Sequence, residues 1–121
     1  MLEIFINVRS IINFIEEEIN RINGSNELKG EILLICNNIS GILGKIGEEE
    51  DLKIVESIKK ELNSLDKIVD RIEKDESNFH LYMLLITHIP DIRFLFLSED
   101  KKQKKDYGQA TVDALRRAKF D

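Results

Sequence analysis

Two histidines, one cysteine and several runs of carboxylates are the groups in this 121-residue chain that could do chemistry, and their spacing decides whether they can. A four-helix bundle that holds two metal ions takes a Glu-x-x-His from each of two helices. Here the residues three positions before His80 and His88 are Ser77 and Leu85, so the motif is missing twice. On a straight helix His80, His88 and Asp91 would share part of one face with Glu76 nearby, which is no more than an adventitious grouping. Cys36 follows Leu33, Leu34 and Ile35, and a thiol in such a setting behaves as a small hydrophobe with a raised pKa. As the only cysteine it can form no intramolecular disulfide and no thiolate cluster. The run Glu48-Glu49-Glu50-Asp51 lacks the alternating ligands and central glycine of a calcium loop and reads as the start of a helix. No glycine-rich turn surrounds a serine, no phosphate loop is present, and Arg71 and His80 are too far apart for the arginine–histidine arrangement of helical ribonuclease toxins. The sequence predicts no catalytic residue, no metal, no cofactor and no small-molecule substrate.

Two other sets of residues suit binding rather than catalysis. Gly30, Asn37, Gly41 and Gly44 follow at steps of seven, four and three, which puts them on one face of a helix. A glycine inside a helix costs about 1 kcal/mol against alanine, so several on one face call for a reason. The reasons are close approach of a neighbouring helix within the bundle, a face for a partner or a second copy, or a helix that bends. The second set is Lys101, Lys102, Lys104 and Lys105, followed by Arg116, Arg117 and Lys119. Such a cluster can neutralise phosphates on nucleic acid or on anionic lipid. Glu99, Asp100 and Asp106 dilute its field, and Tyr107 is the only aromatic near it before Phe120.

These residues need helices to position them, and the hydrophobic spacing supplies helices. Ile4, Val8, Ile11, Ile12, Ile15, Ile19 and Ile22 predict a first helix over about 2–22, closed by Asn23-Gly24-Ser25-Asn26 with Gly24 as a left-handed cap. Leu28, Ile32, Ile35, Ile39, Ile42 and Ile46 give a second over about 27–46, with Leu33, Leu34, Cys36 and Leu43 widening its apolar surface toward more than one neighbour. Gly47 ends it. Val55, Ile58, Leu62, Leu65, Val69 and Ile72 mark a third, reaching about Lys74. Exposed pairs are expected at Glu17/Arg21, Glu56/Lys60 and Asp70/Lys74. A fourth begins near Asn78 and is apolar on most sides, which predicts the most buried element, kinked or broken at Pro90. Residues 98–105 read as a charged connector, and Asp106 and Gln109 resemble a capping box before a short helix over about 107–119 with a thin apolar face of Val112, Leu115 and Ala118.

The sequence therefore predicts an all-α fold, an antiparallel four-helix bundle over 1–97, with a charged connector and short basic helix over 98–121. In helix number and length this layout resembles bacteriocin immunity proteins, helical small subunits of nucleoprotein complexes, and the N-terminal bundles of cell-death and immune signalling proteins. Net charge is −5, unlike the basic balance of most nucleic-acid-binding domains. The charge is uneven: 11 basic and 18 acidic residues up to Leu97, then 7 basic and 5 acidic. The lone cysteine and an N-terminus without a positively charged leader lead us to expect a cytoplasmic protein. The expected function is a non-enzymatic interaction module (adaptor, regulatory or immunity-type) that contacts a protein partner or a second copy of itself. The alternatives are an accessory nucleic-acid-binding subunit using the basic segment, or a bundle that binds anionic membranes.

Overall fold

The computed structural model of the protein describes residues 2–99, with side chains as far as Leu97. It contains α1 (Leu2–Ile19), α2 (Asn26–Leu43), α3 (Asp51–Ile72), one 3₁₀ turn (Glu76–Asn78) and α4 (Phe79–Glu99). Short connections make consecutive helices antiparallel. The helices form a ring in which α1 packs on α2 and α4, and α3 packs on the same two. The all-α four-helix architecture is as the spacing predicted.

One contiguous core fills the ring. Phe5, Val8, Ile12, Ile15 and Ile19 meet Leu28, Ile32, Cys36, Ile39 and Leu43. Opposite them are Ile54, Ile58, Leu62, Leu65 and Ile72 from α3, and Leu81, Leu85, Ile89, Ile92 and Phe96 from α4. These residues follow at steps of three, four or seven, so each helix shows a stripe inward and keeps its charge outward.

Several local expectations need correction. α1 and α2 end earlier than the spacing suggests, because Ile22 and Ile46 pack on the core from outside regular helix. Gly47 has φ of +92° but lies in the α2–α3 turn, beyond the C-cap Gly44 that ends α2 in the right-handed region, and Gly24 is not in the left-handed region either. Gly24 has a different reason to be glycine: a Cβ there would lie 2.6 Å from Leu81 Cδ1. Arg21 pairs with Glu18, not Glu17. The expected break at Pro90 is absent and the kink is not confirmed, since α4 runs through Pro90 as one helix. Pro90 lies on the exposed side, where water can serve the Ile86 carbonyl freed by its missing N–H, and packing on α1 and α3 holds both halves. Nor is α4 the most buried element. It buries five side chains where α3 buries seven, and Phe79 is half exposed. By length and composition, with mean hydropathy 1.2, Glu76–Leu97, the 3₁₀ turn with most of α4, is the one helical stretch among the described residues long and apolar enough to cross a membrane. In the bundle its inward stripe belongs to the common core.

Candidate functional site: the open faces of the bundle

The groups that could carry chemistry are dispersed. His88 stacks at an angle on Phe14, with ring centroids 4.9 Å apart, and its Nδ1 lies 3.9 Å from Asp91 Oδ2. His80 lies eight residues away on the same helix, beside Arg21, Ile22 and Asn23. Among the described residues no three His, Cys, Asp or Glu side chains come close enough to hold a metal ion. Cys36 is fully buried, and that burial, with a smaller push from the Glu16 carboxylate, raises its thiol to about 12. A thiol so held is neither ionised nor reachable at neutral pH.

The glycine set is gathered as the spacing required, on the outer face of α2, where Gly30, Asn37, Gly41 and Gly44 are all exposed. Around a Cβ built at Gly30 or Gly41 there is no atom within 4 Å. Close approach of a neighbouring helix inside the bundle therefore does not explain these glycines. Leu34 lies between them on the same face and is 61% exposed. The stretch from Ile32 to Gly44 contains no charged residue, in a chain where charged residues make up 34%. On the edge toward α3, Asn38 donates to Glu61 at 3.1 Å and Arg71 forks onto Glu31 at 2.9 and 3.3 Å. The hydrogen bond from Arg71 is the main reason the Glu31 carboxyl sits below its ordinary range.

The two ends of the bundle differ. At one end the α1–α2 and α3–α4 turns are bonded to each other. Asn78 is the one buried polar residue among those described; its Oδ1 accepts from the Ser25 N–H at 2.8 Å and its Nδ2 donates to Asp75 Oδ2 at 2.8 Å. Asp75 also accepts from the Ser77 hydroxyl and N–H, and these bonds, the hydroxyl first, lower its pKa. Ser25 in turn caps α2, accepting from the Leu28 N–H at 3.3 Å. The sequence marked both turns but not the bond between them, because Ser25 and Asn78 are 53 positions apart.

At the other end the surface is open. A depression of about 470 Å³ is lined by Glu48, Glu50, Leu52, Lys53 and Glu56. Leu52 is 68% exposed, and none of the three glutamates is in an ion pair among the described residues. The basic set, Lys101, Lys102, Lys104, Lys105, Arg116, Arg117 and Lys119, lies outside the described residues, as does the expected helix over 107–119. No protein-family model matches this chain, and neither a curated protein nor a solved structure matches it.

Proposed function

We propose that the protein is an interaction module that works by presenting the outer face of α2 to a protein surface, with a second copy of the chain as the first partner to test. The observation that carries this reading is the uncharged strip Gly30, Leu34, Asn37, Gly41 and Gly44, which faces solvent with open space above Gly30 and Gly41. A solvated helix ordinarily carries charge on its outer face. A face of small residues around one leucine instead lets another helix backbone come close, and two such faces are self-complementary across a two-fold axis. The function so proposed needs no substrate, metal or cofactor, and is to be sought in the cytoplasm.

Sedimentation equilibrium of the full chain tests it. The expected result is a concentration-dependent dimer, abolished by Gly41→Arg, a substitution the open space above Gly41 accommodates without disturbing the fold. A chain that stays monomeric at millimolar concentration removes the second copy as partner. Equal association of the parent and the Gly41→Arg protein moves the interface away from α2.

A further inference from the structure

The depression at the α2–α3 end sets the exposed Leu52 among three glutamates and one lysine, Lys53, so that it carries net negative charge, and its place in the fold indicates what covers it. Arg93 of α4 holds Asp66 of α3 through bonds of 3.0 and 2.6 Å and reaches Asn63 at 3.1 Å, which fixes the register of the two antiparallel helices. Six residues beyond Arg93, at about 1.5 Å per residue, Glu99 comes level with roughly residues 57–60 of α3. Leu52 and Glu48–Glu50 lie about 8–12 Å further along the same line, a distance that four extended residues cover. Beyond Asp100 the chain continues with Lys101, Lys102, Lys104 and Lys105. The carboxylates thus lie within reach of the densest positive charge in the sequence.

We infer that the depression lined by Glu48, Glu50, Leu52, Lys53 and Glu56 is a docking site for residues 101–105 of the same chain, with the lysine ammonium groups set against the carboxylates and their aliphatic stems over Leu52. The inference is independent of the α2 face, which lies elsewhere on the bundle. Each exposed lysine–carboxylate pair is weak alone and several acting together are screened by salt, so the docking is reversible and strongest at low ionic strength.

Limited trypsin digestion of the full chain at low salt, followed by mass spectrometry, reads the rate of cleavage after Lys101–Lys105. Leu52→Lys and the triple variant Glu48→Gln/Glu50→Gln/Glu56→Gln are the test proteins. Leu52 is mostly in solvent, so its replacement spares the core, and unchanged thermal unfolding confirms this. Cleavage in both variants is expected to be on the order of tenfold faster than in the parent, with 0.5 M salt erasing the difference. Carbodiimide coupling is expected to join Lys101–Lys105 to Glu48–Glu56 within monomers. Equal cleavage rates in all three proteins overturn the inference. So do cross-links confined to the dimer band, which would assign the site to the segment of a second copy.

Discussion

Replacing Asn78 by alanine is the sharpest test of how this bundle is held at its bonded end. The side chain is 5% exposed, and its two polar atoms bridge Ser25 and Asp75. Alanine leaves the Ser25 N–H without an acceptor in a partly buried position. Stranding such a donor costs about 1–3 kcal/mol, well above the net value of a hydrogen bond exchanged for water. At about 4 °C per kcal/mol for a domain of this size, the midpoint of thermal unfolding should fall by roughly 4–12 °C. Helical circular dichroism followed through heating and urea titration measures it, with Asn37→Ala as the reference. Asn37 is exposed on α2, and its replacement should change stability by less than about 0.5 kcal/mol. Asn78→Asp separates the two bonds. It keeps an acceptor for Ser25 but sets a second carboxylate against Asp75, so its loss should be largest at neutral pH and shrink as the solution is acidified and one of the pair takes a proton. If Asn78→Ala unfolds within 0.5 kcal/mol of Asn37→Ala, the bridge contributes nothing and the reasoning fails.

The glycines should respond in opposite directions. Gly41→Ala, with nothing near its new methyl, should stabilise by about 0.5–1 kcal/mol in urea unfolding, while Gly24→Ala, driven against Leu81, should destabilise by about 1–3 kcal/mol. Cys36, its thiol raised to about 12 in the core, should resist Ellman's reagent at pH 8 in the folded protein and react with one equivalent once urea unfolds it. Glu31 and Asp75 both have folded pKa values below their unfolded ones. Their stabilisation is therefore complete above the unfolded values and is lost as pH falls through the folded ones, so the urea midpoint should drop as the solution is acidified below the ordinary carboxylate range. Arg71→Met and Ser77→Ala should each flatten that drop, and an unchanged profile in either would deny the corresponding bond its role.

The core was legible because it repeats. Ile58, Leu62 and Leu65 announce the inward stripe of α3 by spacing alone, and the same holds for Ile32 and Ile39 of α2. What spacing does not carry is which side of a neighbour a residue meets. The apolar content of α4 suggested burial all round, but a ring of four gives each helix two neighbours and leaves its outer side open. Gly24 looked like a cap because glycines follow helices, whereas its role is to admit Leu81 from a helix more than fifty residues on. Gly30, Asn37, Gly41 and Gly44 were recognisable as one face; that the face looks outward depends on the partners of α2. The open depression near Leu52 gave no signal of its own, since its acidic run reads equally well as the start of a helix.

The bridge through Asn78 also bears on the order in which the bundle forms. It joins the tips of two helical hairpins, α1–α2 and α3–α4, whose connection runs through Gly47 at the far end. Each hairpin can form from contacts near in sequence, but Ser25 and Asn78 meet only when the hairpins have already closed along their length. If the bridge forms that late, Asn78→Ala should leave the folding rate unchanged in stopped-flow refolding and hasten unfolding. On that expectation Asn78 is a latch, with no part in bringing the hairpins together and a say in how long they stay together.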